Sequence, residues 1–153
     1  MSRNFVKIVL MLLPQSIPCD LLSHPLLGQK QVELQVLRLD QVHPEVTGNK
    51  FYKLQYNLQE ALNQNHPQVL TFGGAYSNHI YATAAAAKEV GLASVGVIRG
   101  ELLDAQNPTL SYARSAGMNL LGISREHYRE KNEAAFLESL RKQFGDFYLI
   151  PEG

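Results

Sequence analysis

Two lysines and one glycine-rich turn are the residues of this sequence whose types and spacing could do chemistry. Lys50 and Lys53 fall at the start of a predicted helix, within the segment G-N-K-F-Y-K-L at residues 48–54. The helix dipole is positive at that end, so a lysine there gains no structural benefit. A nearby positive potential and desolvation both favour the neutral amine, which is the nucleophilic form. A site that needs a reactive amine would use such a position, and a solvated surface charge is the ordinary alternative for either lysine.

The turn G-G-A-Y-S-N-H occupies residues 73–79, between a predicted strand and a predicted helix. Its glycines permit positive φ and a close approach of the backbone to a ligand. Ser77 suits the N-cap of the helix, and the free N–H groups of the first helical turn attract a carboxylate or a phosphate. The spacing matches neither G-x-G-x-x-G nor G-x-x-x-x-G-K-[ST], so the dinucleotide and P-loop fingerprints are missing.

Composition favours small-molecule chemistry in a reducing compartment. The chain has 153 residues, enough for one domain, with 14 basic and 14 acidic residues. A formal charge of zero gives no footprint for nucleic acid or for an acidic membrane surface. The single Cys19 has no partner for a disulfide or a metal knuckle, which predicts a cytoplasmic protein. The scattered histidines predict no metal site, and no apolar stretch approaches the roughly 20 residues of a membrane helix.

Alternating strands and helices would position the two motifs. Residues 1–32 carry three prolines and Gly28 in breaker positions, so we expect an irregular segment with short helical turns at most. Residues 33–39 alternate as a strand with one buried face, and Thr47 or Asn49 can cap the helix that follows. Further strands are predicted at 68–72, 93–98, 118–123 and 147–150, with helices at 77–90, 107–116 and 124–144 between them. This order predicts an α/β fold, a mostly parallel sheet between two helical layers.

Several segments together resemble a known family. The three main segments are H-P-E-V at 43–46, G-N-K-F-Y-K-L at 48–54 and G-G-A-Y-S-N-H at 73–79. Four shorter ones are R-L-D at 38–40, V-I-R-G-E at 97–101, N-P-T-L at 107–110 and I-P-E-G at 150–153. The chain resembles the 1-aminocyclopropane-1-carboxylate deaminases and D-cysteine desulfhydrases, which are pyridoxal-phosphate enzymes of the tryptophan synthase β-subunit superfamily. The resemblance implies the fold of fold type II pyridoxal-phosphate enzymes, of which this chain would hold the N-terminal part.

The resemblance also implies a role for each motif residue. Lys50 would form the Schiff-base link to pyridoxal 5'-phosphate and then serve as the catalytic base beside the substrate. Asn78 would hydrogen-bond the 3'-oxygen of the cofactor ring. Ser77, the second implied catalytic residue, would hold the substrate carboxylate with Asn78 and His79.

The implied substrate is a small amino acid, either D-cysteine or 1-aminocyclopropane-1-carboxylate. The reaction would be α,β-elimination for the first and ring-opening deamination for the second. Phe51 and Tyr52, which precede Lys53, depart from a family pattern that commonly has a basic residue there, and this departure bears on substrate choice. The resemblance further implies a homodimer in the full-length family.

Family members are longer than this chain, as the resemblance implies, so a domain division is expected. Residues 1–45 would be a leading segment that packs on a larger domain, and residues 46–153 a small α/β domain. The large C-terminal domain, with the glycine-rich cup for the cofactor phosphate, would be absent, and the chain inactive by itself. A non-catalytic α/β domain and a flavodoxin-like nucleotide binder are the alternatives.

Overall fold

The computed structural model describes residues 16–101 and 104–152. The strands are β1 (Cys19–Leu22), β2 (Leu34–Leu37), β3 (Gln68–Gly74), β4 (Ala93–Arg99), β5 (Met118–Ile123) and β6 (Tyr148–Ile150). The helices are α1 (Pro25–Lys30), α2 (Asn49–Asn63), α3 (Asn78–Val90), α4 (Pro108–Ser115), α5 (Arg125–Arg129) and α6 (Ala134–Phe144). No helix in these ranges is long and apolar enough to cross a lipid bilayer.

The main sheet has four strands in the order β5-β4-β3-β6, and every neighbouring pair is parallel. The predicted alternation of strands and helices after residue 68 is confirmed. Since parallel strands all end at one edge, the turn after β3 lies beside the ends of β4 and β6. The glycine-rich turn therefore lies at the edge where parallel sheets bind ligands.

Helices cover both faces of this sheet, which confirms the three-layer α/β prediction. Along β3, Leu70 and Phe72 pack with Tyr128 and Leu140 from α5 and α6. Val69 points to the other face, where α2 and α3 pack. Because successive strand residues point to opposite faces, an apolar strand that is buried on both sides needs two helical layers.

One predicted helix cap is present, and another is different. The Ser77 hydroxyl oxygen accepts hydrogen bonds from two backbone N–H groups at the start of α3. Asn107 caps α4 by accepting from the N–H of Leu110 at 2.9 Å. For α2 the prediction of Thr47 or Asn49 is wrong, because Gly48 holds the N-cap position with φ 62° and no side-chain cap. Only glycine adopts that backbone conformation without strain.

The leading segment differs from its prediction in two ways. β1 pairs antiparallel with β2 in a separate two-stranded sheet, so residues 19–22 are a strand where an irregular segment was expected. All eight paired residues are exposed, whereas residues 33–39 were expected to bury one face. An alternating sequence pattern shows only that one face of a strand is apolar. In the described part of the chain, nothing covers the apolar face of this strand. The irregular segment predicted at residues 1–15 lies outside the described residues.

The long helix predicted at 124–144 is interrupted. α5 ends at Arg129 and α6 begins at Ala134, with a turn between them. The turn lets side chains of both helices reach the same ring: Phe72 meets Tyr128 edge-on at 5.9 Å and Phe136 at 6.4 Å between ring centroids. The spacing of apolar residues would allow one continuous helix over residues 124–144. Packing of both halves on the sheet divides it into two helices.

Gly73, the first of the two glycines that end β3, acts through close packing and not through its backbone angles. Gly73 and Gly74 are not among the glycines with positive φ, so that part of the prediction is wrong. A Cβ atom at Gly73 would lie 2.5 Å from Cγ1 of Ile80 and 3.0 Å from the Ser77 hydroxyl oxygen. Glycine at this position allows the start of α3 to lie directly against the strand.

We predict that Gly73→Ala destabilises the fold and that Gly74→Ala does not. A Cβ at Gly74 meets nothing closer than a flexible Arg99 nitrogen at 3.8 Å, so it is the matched control. Overpacking at Gly73 should lower the free energy of unfolding by about 1–3 kcal/mol. Urea denaturation of both variants measures this difference, and equal midpoints would contradict the packing role.

Candidate functional site

A histidine fixes the loop that leads into α2. The Nδ1 atom of His43 accepts hydrogen bonds from the backbone N–H groups of Glu45, at 3.2 Å, and Val46, at 3.0 Å. Its other ring nitrogen then carries the proton and lies 3.2 Å from the Glu89 carboxylate on α3. Loop 43–48 is thereby attached to α3 before α2 begins.

The two lysines of α2 have different surroundings. Lys53 donates from Nζ to the backbone carbonyl of Glu152 at 3.0 Å, just after β6. Lys50 is half-buried and lines a cleft of about 410 Å³ between the start of α2 and the start of α3. Within the described residues, its Nζ makes no hydrogen bond or ion pair. Of the two amines, the one on Lys50 is thus available to a ligand.

The opposite wall of the cleft comes from α3 and loop 43–48. Asn78, Tyr81 and Ala82 line it from the helix, and Glu45 lines it from the loop. The Tyr81 hydroxyl donates to the Glu45 carboxylate at 2.5 Å, and its ring stacks on Tyr112 with centroids 3.9 Å apart. The hydrogen bond to the carboxylate raises the pKa of Tyr81, so the phenol remains protonated. Tyr81 and Glu45 are site residues that the sequence motifs alone did not identify.

Ser77 and Asn78 stand at the N-terminus of α3. The Ser77 oxygen accepts from the backbone N–H groups of His79, at 3.2 Å, and Ile80, at 3.4 Å. Both acceptor sites of the hydroxyl are therefore occupied, and its single proton remains to be donated outward. The Asn78 side chain is exposed on the cleft wall. The structure therefore brings Lys50 and Asn78 together in one cleft, with Ser77 beside them at the helix cap.

The His79 side chain lies beneath this surface, with 2% of it exposed. Its Nε2 is 2.9 Å from the Thr71 hydroxyl oxygen, and that hydroxyl donates to the backbone carbonyl of Ile150 at 2.9 Å. Because Thr71 uses its only proton on Ile150, the imidazole must donate from Nε2, and Nδ1 is left as an acceptor. Within the described residues, Nδ1 has no hydrogen-bond partner.

His79 is held in its neutral form. Burial, together with the positive charges of Lys50 and Lys53, lowers the pKa of His79 from 6.5 to about 4. The imidazole is thus close enough to both lysines to interact with their charges. Because it is neutral, it adds no third positive charge. The sequence signalled this network only weakly, through a threonine at position 71 within an apolar strand.

No family model matches the sequence. In structure, the chain superposes on a crystal structure of a 1-aminocyclopropane-1-carboxylate deaminase homologue with a TM-score of 0.71 and 24% identity, covering 99% of this chain and 48% of that one. It also superposes on a hydrogen sulfide-producing enzyme from Fusobacterium nucleatum, with a TM-score of 0.62 and 10% identity over 97% and 46% of the two chains.

Two curated proteins show the same relationship in sequence. A mitochondrial bifunctional D-cysteine desulfhydrase/1-aminocyclopropane-1-carboxylate deaminase from Arabidopsis thaliana is 36% identical over 130 residues, 79% of this chain and 32% of the relative. A D-cysteine desulfhydrase from Serratia proteamaculans is 32% identical over 91 residues, 60% of this chain and 27% of the relative. The chain spans about a third of the length of these relatives.

The fold is that of the fold type II pyridoxal-phosphate enzymes, as the sequence predicted. Within that class, the chain is related to the 1-aminocyclopropane-1-carboxylate deaminases and D-cysteine desulfhydrases, which confirms the resemblance read from its motifs.

We predict that His79 makes the fold less stable in acid. Its pKa is lower in the folded state than in the unfolded state, so as the pH falls from 6.5 to about 4 only the unfolded chain gains the proton. The free energy of unfolding should fall over that window by at most about 3 kcal/mol. Urea denaturation at several pH values measures this slope.

The variant for this test is His79→Gln, which keeps a side-chain N–H for Thr71 and does not titrate. Its stability should depend less steeply on pH over the same window. His127→Gln is the control, because that histidine is exposed on α5. An unchanged slope in His79→Gln would show that the buried imidazole is not the group responsible.

Proposed function

We propose that this chain supplies the lysine-bearing part of the active site of a pyridoxal-phosphate-dependent enzyme that deaminates or desulfurates a small amino acid. The observation that carries the proposal is the shared cleft of Lys50 and Asn78, at the N-terminus of α3. The relatives named for D-cysteine desulfhydrase and 1-aminocyclopropane-1-carboxylate deaminase activity support the same reaction class.

The residues present fit this cofactor. The Lys50 amine, which has no protein partner among the described residues, lies across a cleft from the exposed amide of Asn78. An amine can react with the cofactor aldehyde, and an amide N–H can donate to the cofactor ring oxygen. When bound, pyridoxal phosphate supplies the aldehyde for the lysine and an aromatic ring that withdraws electrons from the substrate α-carbon. Lys50 would hold the cofactor, and Asn78 would orient its ring.

The chain's own groups would handle substrate and protons around that ring. Ser77 has a hydroxyl proton to donate, and it stands at a positive helix end, so it suits the substrate carboxylate. The amine of Lys50, once released, would take the α-proton. His79 contributes its backbone N–H to the Ser77 cap, and its neutral ring supports the substrate-binding turn from below.

The proposed substrate is D-cysteine or 1-aminocyclopropane-1-carboxylate, and both are small. The cleft of about 410 Å³ is of a size that suits a small ligand. The Glu45 and Tyr81 pair adds a carboxylate to the wall across from the lysine, and a carboxylate there would favour a substrate that carries an ammonium group.

We also propose that residues 1–45 dock on a further domain of a longer protein. The sheet of β1 and β2 and the neighbouring helix α1 expose large apolar side chains, among them Leu21 at 64% and Leu26 at 52%. Contiguous exposed apolar surface of this kind marks a protein interface. In this arrangement the cofactor phosphate would be held outside this chain, which alone would bind cofactor weakly and not turn over. The proposed enzyme is a homodimer, as the resemblance implies.

We predict that borohydride reduction of the protein with pyridoxal phosphate labels Lys50. Reduction makes the link irreversible, so it records attachment even when binding is weak. Peptide mass spectrometry should find the adduct on Lys50, and Lys50→Ala should remove it. Lys53→Ala is the matched control and should keep the label, since the Lys53 amine is engaged by the Glu152 carbonyl.

Two results would count against the proposal. Label spread evenly over Lys53 and the exposed Lys88 would show that Lys50 has no special reactivity. Absence of any label would favour the non-catalytic α/β domain.

A further inference from the structure

A second cavity, of about 440 Å³, opens beyond the carboxyl end of β4. Four cationic side chains line it, together with one aromatic ring and one carboxylate. They are Arg99, Arg125, Arg129 and Lys131, with Tyr128 and Glu152. The chain has 14 basic and 14 acidic residues in all, so this wall concentrates positive charge that the composition as a whole does not have.

The one carboxylate in the wall is already matched. Glu152 pairs with Lys131 at 3.0 Å and accepts a hydrogen bond from the Tyr128 hydroxyl at 2.8 Å. Among the described residues, none of the three arginines lies within 4.0 Å of a carboxylate oxygen. Glu126 is next to Arg125 in sequence, but it does not line the cavity. Among the described residues, the three guanidinium groups therefore line the cavity without a carboxylate oxygen in ion-pair contact.

The Tyr128 ring positions two of the cations. It is buried, with the Arg99 guanidinium carbon 5.7 Å and the Lys131 amine 4.8 Å from its centroid. Its edge contact with Phe72 fixes the ring on the sheet. A cationic side chain that is already held over an aromatic ring loses less conformational freedom on ligand binding than a free one does. The cavity therefore has a fixed aromatic side and two arginines from α5 on its rim.

We propose that this cavity binds a small ligand that carries a phosphate group. Guanidinium groups match phosphate oxygens in bidentate pairs, and several of them together favour a dianion over a single carboxylate. A concave cavity of this size suits a small molecule, and the balanced charge of the whole chain does not suit a nucleic-acid surface. The ligand is inorganic phosphate or a phosphate monoester, which share this chemistry.

The test is a titration of isotope-labelled protein with inorganic phosphate, at an ionic strength held constant with sodium chloride. Backbone amide signals near Gly100 and along α5 should shift in a saturable way. A parallel titration with glycerol 3-phosphate separates the two sources. Tighter binding of the ester identifies a phosphorylated metabolite, and equal binding identifies free phosphate; either supports the site.

The test variant is Arg125→Gln/Arg129→Gln, which removes two exposed charges from the rim. Loss of two charge-assisted contacts should weaken phosphate binding at least about tenfold. The matched control is Lys88→Gln/Arg114→Gln, which removes two exposed charges outside the cavity wall. The control should stay within about twofold of the unsubstituted protein, because salt screens distant charges.

Three results would overturn the proposal. Shifts that never saturate would mean that phosphate acts only as general salt. Equal weakening in the two double variants would mean that overall charge, and not this cavity, attracts the anion. Binding of a single-stranded DNA oligonucleotide more tightly than either phosphate ligand, lost in the rim variant, would assign the surface to nucleic acid. Dispersed amide spectra of both variants confirm that each is folded.

Discussion

A single chain of buried hydrogen bonds joins the parts of this fold that form the site. The His79 ring donates to Thr71, and Thr71 donates to the carbonyl of Ile150, so α3, β3 and β6 meet at one point. The surrounding interior is almost entirely apolar, and a polar group left unpaired there costs about 1–3 kcal/mol. The start of α3 therefore has one favourable position on the sheet.

The same constraint sets the electrostatics of the cleft above it. A protonated His79 would place a third cation near Lys50 and Lys53, and burial already opposes that charge. With the ring neutral, the lysines and the positive end of α3 remain as the groups that could attract an anion in the cleft. Glycine at position 73 is required by this arrangement, since it allows the cap residue Ser77 and the side chain of Ile80 to lie against β3.

Local patterns in the sequence predicted the parts of the fold that depend on local chemistry. β3, β4 and β5 are short apolar runs between breakers, and Ser77 and Asn107 cap their helices through neighbouring N–H groups. The exposed hairpin was not predictable, because alternation cannot show what covers an apolar face. The network of His79 was also hidden, because its last acceptor is a backbone carbonyl 79 residues from Thr71. The Glu45 and Tyr81 pair in the cleft, 36 residues apart, was missed for the same reason.

One residue just after the last strand contacts both the helix that carries Lys50 and the wall of the cationic cavity. Glu152 accepts from Lys53 through its backbone carbonyl and pairs with Lys131 through its carboxylate. Lys53 belongs to the helix that carries Lys50, and Lys131 lines the cationic cavity. The position of Glu152 follows from β6, which Thr71 holds at Ile150. The Thr71 hydroxyl, which contacts the imidazole under the lysine cleft, thus also holds the strand that leads to Glu152 in the wall of the cationic cavity.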